Sequence, residues 1–163
     1  RKLAMTNAQS DNAVGAELDR IASEFFRAVS FEAGQRPPYE NIRGLFIGSG
    51  LLIKNAGPMP EISTVSEFIA PRQAQVDSGA LSRFHESELS QRTVIFGNVA
   101  HRFSAYEKSG TMNGAAFKAR GMISTQFVLT PSGWKMSSMA WDDERAGLRI
   151  PAEYLPPERD TLA

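Results

Sequence analysis

From Phe84 to Trp141 the chain consists of long alternating runs, and no other feature constrains its fold as strongly. The runs "FHESELSQRTVIF", "VAHRFSAYEK", "AAFKARGMISTQFVL" and "WKMSSMAW" are separated by Gly97-Asn98, by "SGTMNG" and by "TPSG". Glycine and asparagine reach the positive φ that tight hairpins require, and Pro-Ser-Gly is turn chemistry too. Strands this long, joined by turns this short, pair with their sequence neighbours. The expectation is an antiparallel meander.

The first half reads as helices with one short strand. Leu18, Ile21, Ala22, Phe25, Phe26 and Val29 recur at helical spacing, with charged residues opposite, which predicts an amphipathic helix from Ala16 to Val29. Residues 1–15 are polar and aperiodic and read as a flexible lead-in. After the breaker "GQRPP", "YENIRGLF" is a short helix and "GLLIKN" a short strand. Thr64 and Glu67 have capping-box spacing and open a third helix, which Pro71 should kink or split. That helix ends at Ser78-Gly79, since glycine suits a C-terminal cap.

Bulk properties exclude several classes. Basic and acidic residues both number 18, so no cationic footprint marks the chain for nucleic acid. Without cysteine there are no disulfides, thiolate nucleophiles or zinc-thiolate sites, which is in keeping with a cytoplasmic protein. No apolar run approaches the ~20 residues of a membrane span. The 163 residues suit one domain, 16–163 behind the lead-in, with no repeat or linker.

Hairpin pairing sorts the strands into faces. A two-residue turn at Gly97-Asn98 pairs Phe96 with Val99, Val94 with His101, Arg92 with Phe103 and Glu88 with Glu107. We take the Glu88, Arg92, Val94, His101 and Phe103 face to point inward. In the last strand, strict alternation puts Trp134, Met136, Ser138 and Ala140 under the helices. Met139 and Trp141 then share the other face with Met122, Ser124 and Gln126, as a half-apolar surface suited to a homodimer interface. The alternative is a strand end capped by the tail "GLRIPAEYLPP".

Helix, short helix, short strand, helix and long meander, with "GNVAHRFSAYEKSG" on one strand and "TPSGWKM" opening the last, resemble the nuclear transport factor 2-like superfamily. The likeness spans about Ala16 to Asp143 and is greatest to bacterial members related to polyketide cyclase-like and ketosteroid isomerase-like proteins. It implies an α+β, cystatin-like cone: a curved antiparallel sheet wrapped around N-terminal helices, able to enclose a pocket. It does not imply one reaction, because this fold hosts isomerases, dehydratases, transport adaptors and binders.

Phe25, Tyr39, Phe68, Arg92, His101, Phe103 and Trp134 are the candidate ligand-binding residues. His101 and Asp142 are candidate bases. The isomerase resemblance adds Glu88 as a further base and Tyr106 as a hydroxyl donor. His85 alternates against Glu86 and Glu88, so these do not converge on a metal, and neither metal nor cofactor is expected. Three functions remain open. One is a homodimer binding a small apolar or carboxylate-bearing molecule. Another is a cofactor-free isomerase, dehydratase or cyclase. The third is a protein-interaction module. An open cavity lined by neutral groups favours binding, one holding a dehydrated carboxylate or histidine favours catalysis, and a filled cone favours the module.

Overall fold

A computed structural model describes residues 7–157. Helix α1 (Asn7–Val29) leads to a 3-10 helix (Tyr39–Leu45), strand β1 (Phe46–Lys54), strand β2 (Glu61–Thr64) and helix α2 (Val65–Asp77). The meander follows as β3 (Leu81–Phe96), β4 (Val99–Met112), β5 (Ala115–Thr130) and β6 (Gly133–Asp143). All six strands form one curved, unclosed sheet in the order β2-β1-β6-β5-β4-β3. The expected α+β architecture is present, with one difference in pairing: β1 runs parallel to β6, so the sheet is mixed. β2, absent from the sequence reading, pairs antiparallel with β1.

Apolar periodicity placed α1 correctly on its C-terminal half, where Leu18, Ile21, Phe25, Ala28 and Val29 are buried. The helix begins earlier than Ala16. Residues 1–6 of the expected lead-in lie outside the described residues, and the rest is helical from Asn7. Once the packed half is formed, extending a helix outward is cheap, so no apolar stripe is needed there. Thr64 and Glu67 form the expected capping box, with Glu67 N–H donating to Thr64 Oγ1 at 3.2 Å and Thr64 N–H to Glu67 Oε1 at 3.2 Å. Pro71 does not split α2, which is continuous because buried Phe68 and Ile69 anchor it.

Two of the sheet's bulges change which of the candidate residues face the helices. In β3 the register passes from Ser90↔Ala105 to Glu88↔Tyr106, leaving Leu89 as an extra residue. In β6 it passes from Phe127↔Met136 to Gln126↔Ser138, leaving Ser137 extra. An inserted residue reverses the alternation beyond it. Trp134 and Met136 therefore face inward as expected, but so do Met139 and Trp141, which the sequence reading had placed outside. Glu88, grouped in that reading with His101, is separated from it and faces the helices.

Tyr106 depends on the bare backbone of Gly121, its partner across the β4–β5 ladder. A Cβ at Gly121 would lie 2.3 Å from Tyr106 Oη and 2.1 Å from the Asp142 carbonyl oxygen. Both contacts are far inside van der Waals range, and one is with backbone that cannot swing away. Gly121→Ala should therefore lower the unfolding free energy by about 1–3 kcal/mol or more, measured by urea denaturation. An unchanged midpoint would contradict this packing.

Candidate functional site

Between the helices and the concave face of the sheet lies a cavity of about 370 Å3. Helix α2 presents Phe68, Pro71, Arg72 and Gln75 to it, the i, i+3, i+4, i+7 positions of one helical face. Phe25 and Val29 of α1 and Tyr39 of the 3-10 helix contribute to the wall. The sheet contributes Phe84, Phe117, Ile123, Met139 and Trp141. Aromatic contacts stiffen the wall: Phe68 meets Trp141 edge-on at 6.1 Å, and Phe84 lies 6.2 Å from Phe117.

Among these apolar groups stand Glu86 and Lys108, direct partners across the β3–β4 ladder. The Glu86 backbone is pinned by α1, since its N–H donates to Ser30 Oγ at 3.1 Å while Phe31 and Phe84 exchange two hydrogen bonds. Its carboxylate has no hydrogen-bond or ion-pair partner among the described residues. Although half-buried by exposed area, Glu86 is ringed by protein, and its accessible side faces the cavity. Burial pushes its pKa up to about 7, opposed by the charges of Lys108 and Arg72 and assisted by Asp143.

Lys108 is held by Asp143, with Nζ to Oδ1 at 3.0 Å. The Tyr106 hydroxyl donates to Asp143 Oδ1, and also to the Asp142 carbonyl at 3.1 Å. Burial, then the Asp143 hydrogen bond, raises the Tyr106 pKa well above the phenol range, so the hydroxyl stays protonated and a donor. The resulting arrangement is an unpaired carboxylate beside an ammonium whose position is fixed by an Asp–Tyr pair. On α2, Arg72 stacks 3.6 Å over the Phe68 ring and donates from Nη1 to the Phe68 carbonyl at 3.0 Å.

A second polar set is built around buried Arg102. Arg102, 4% exposed, makes a fork with the Glu88 carboxylate at 2.9 and 2.5 Å and reaches Asp19 of α1 at 2.6 Å. Ser104 Oγ donates to Glu88 Oε2 at 2.7 Å. This set ties α1 to the sheet and engages both oxygens of Glu88, so Glu88 is not poised as a base.

Of the residues singled out from sequence, Phe25, Tyr39 and Phe68 line the cavity, and Trp134 is buried in the core outside its lining. His101, Phe103 and Arg92 lie on the convex face, which corrects the expectation that this face looks inward. There Phe103 packs edge-on against Tyr154 at 5.4 Å, and Arg92 lies over the Tyr154 ring and 3.4 Å from Glu153. The tail thus covers part of the convex face, with Ser90 Oγ donating to the Tyr154 carbonyl. Met122, Ser124 and Gln126 keep the outward parity expected of them, whereas Met139 and Trp141 do not. The bulge at Ser137 turns Asp142 outward to pair with Arg145 at 2.7 Å and sends Asp143 inward in its place. Glu86, Lys108 and Arg72 escaped the sequence reading. The available signal was the 68, 71, 72, 75 face of α2, which carries a cation among apolar neighbours. Among the described residues no cluster of His, Asp and Glu is arranged to hold a metal.

A helix-covered, strongly bent meander with a cavity at its concave face has clear structural counterparts. A nuclear transport factor 2-like protein from Salmonella enterica serovar Typhimurium superposes with a TM-score of 0.70 at 13% identity, over 87% of this chain and 96% of that one. The fold is that of the nuclear transport factor 2-like superfamily. A proposed dehydratase of that family from Streptomyces avermitilis matches with a TM-score of 0.65 at 12% identity, over 83% of this chain and 99% of its own. A cystatin-like-fold protein from Nostoc punctiforme gives 0.62 at 13%, over 88% and 97%. No protein-family model and no curated protein matches the chain in sequence. Identities this low carry the fold and not the activity.

The raised Glu86 pKa has a stability consequence whose sign is opposite to the usual carboxylate case. The folded state holds a proton on Glu86 that the unfolded chain releases near 4.5. Stability is therefore lost as pH rises from 4.5 through about 7, and the ionised form is the costly one. The charge-free Glu86→Gln variant should exceed wild type by on the order of 2–3 kcal/mol at pH 8 and converge with it below pH 4.5. Parallel denaturation series at the two pH values check this.

Proposed function

We propose that the protein is a cofactor-free acid–base enzyme of the isomerase, dehydratase or cyclase kind, acting on a small molecule held in the concave cavity. The observation that carries this is the Glu86 carboxylate, which faces the cavity with no hydrogen-bond or ion-pair partner among the described residues, and whose pKa burial pushes up to about 7. A group that gains and loses its proton near neutrality can take a proton from carbon and return it elsewhere. Lys108 stands across the ladder to stabilise the oxyanion that forms when a proton leaves the carbon beside a carbonyl. Asp143 keeps Lys108 in place, and Tyr106 keeps Asp143 in place.

Simple binding without chemistry is the second reading, and the same residue weighs against it. An unpaired buried carboxylate lowers stability, and a site meant only to hold an apolar body is better served by neutral walls. The interaction-module reading loses its anchors, because Met139 and Trp141 point into the protein. A homodimer through the convex face remains part of the proposal. Val94, Phe96 and Val99, 67, 84 and 46% exposed, make an apolar patch there. The proposed dehydratase that shares the fold belongs to the same reaction class, although at 12% identity it lends only plausibility.

The test is solvent-deuterium exchange at carbon, read by mass spectrometry over a panel of ketones, cyclic enones and 3-oxo acids. Wild type should exchange at least one of them. Glu86→Gln should slow that exchange by about 10²-fold or more, the usual contribution of a positioned base. His101→Ala, on the convex face, should leave the rate unchanged. Exchange that survives in Glu86→Gln, or no exchange in the whole panel, would sink the proposal.

A further inference from the structure

The cavity contains a cation, Arg72, that makes no ion pair among the described residues, Glu86 and Glu61 acting on it only through space. The contrast with Arg102 is direct. That guanidinium receives Glu88, Asp19 and the Thr93 hydroxyl, whereas Arg72 has only its own helix carbonyl at Phe68 and the face of the Phe68 ring. Of its five N–H donors, one is engaged, and the others have no acceptor among the described residues. Of the other cavity charges, Lys108 pairs with Asp143, while Lys54 and Glu61 are neighbours across the β1–β2 ladder. Glu86 is about half protonated near neutrality.

We propose that the ligand of this cavity is a monoanion, an aromatic or alicyclic body carrying one carboxylate, and that Arg72 selects and orients it. The inference rests on the acid–base reading of the cavity and adds the substrate class. A guanidinium stacked on an aromatic ring keeps its planar edge available, and that edge matches a carboxylate through two parallel N–H···O bonds. The stack also fixes the orientation of the edge, so a bound carboxylate carries its attached body to a defined place. The walls suit a flat apolar body: Phe25, Phe68 and Trp141 form one aromatic cluster, and Phe84 with Phe117 another. Because Arg72 of α2 and Glu86 of β3 line one cavity, near enough for each charge to act on the other, a ligand anchored at the first brings its carbon framework beside the second. Arg72 thus acts in specificity and positioning, while Glu86 moves the proton.

The test compares two probes of nearly one shape, 2-naphthylacetate and its neutral analogue 2-naphthylacetamide. Both are titrated calorimetrically into the full chain as wild type, Arg72→Met and Arg72→Lys. Wild type should bind the acid about tenfold or more tighter than the amide, the margin of a charge-assisted pair over a neutral one. Arg72→Met should erase that preference and leave amide binding within about threefold of wild type. Arg72→Lys should keep part of it, having the charge without the planar edge. Equal binding of acid and amide by wild type overturns the inference, and needs no variant to fold. So does a preference that survives in Arg72→Met with its circular dichroism unchanged. If neither probe binds, this inference and the ligand-holding cavity fall together. A retained acid preference alongside undiminished exchange in Glu86→Gln would uphold Arg72 and reject the acid–base reading.

Discussion

The extra residues Leu89 and Ser137 are the constraint on which the rest of the site depends. A strand can aim its side chains only alternately, so an uninterrupted β3 that keeps Val94 and Phe96 outward would also turn Glu88 and Glu86 outward. The bulge at Leu89 reverses that order and brings both carboxylates under the helices. The bulge at Ser137 does the same for Met139, Trp141 and Asp143. Without these two insertions the concave face would lack its proton carrier, the acid that fixes Lys108 and part of its aromatic wall. Bulges of this kind bend and twist a sheet as well as re-aim it, which suits a meander curved around α1 and α2.

The inward-facing acids then have opposite fates. Glu88 meets Arg102 in a bidentate fork, with Ser104 and Asp19 completing the set, and this pairing repays the cost of burial. Removing one member would strand a buried charge, so the set acts as a clamp between α1 and the sheet. Glu86 receives no such partner. It stands across from Lys108, whose ammonium is already committed to Asp143, and burial raises its pKa to about 7 against the opposing charges of Lys108 and Arg72. The fold satisfies its buried charges where they hold the structure and leaves Glu86 and Arg72 unsatisfied where a ligand can reach them. Such local violations are expected at working sites.

Much of the architecture was legible because its signals are local and redundant. Turn residues at Gly97-Asn98, Asn113-Gly114 and Gly133 divided the meander, and all five fall within or beside the observed hairpin turns. Thr64 with Glu67 marked a helix start, and the Leu18–Val29 periodicity marked the buried face of α1. The parallel β1–β6 pairing was not legible, since it joins segments far apart in the chain and no turn announces it. The site was less legible than the fold for one reason. Faces were assigned by counting in twos from the hairpin turns, which holds as far as the first bulge. His101 and Glu88 were therefore assigned together and lie on opposite faces, and Asp142 was chosen where Asp143 points inward. Neither bulge carries a glycine or proline to mark it. Leu89 and Ser137 sit inside runs that read as regular strand.

The central claim is that Glu86 holds an unpaired carboxylate that titrates near neutrality in the concave cavity. Carbon-13 NMR of protein labelled at the glutamate side-chain carboxyl tests it directly, with the Glu86 resonance identified by its loss in Glu86→Gln. The account predicts a midpoint of about 7, moving higher in Lys108→Met as a neighbouring positive charge is removed. A midpoint near 4.5, unmoved by that substitution, would place Glu86 in solvent and contradict the account.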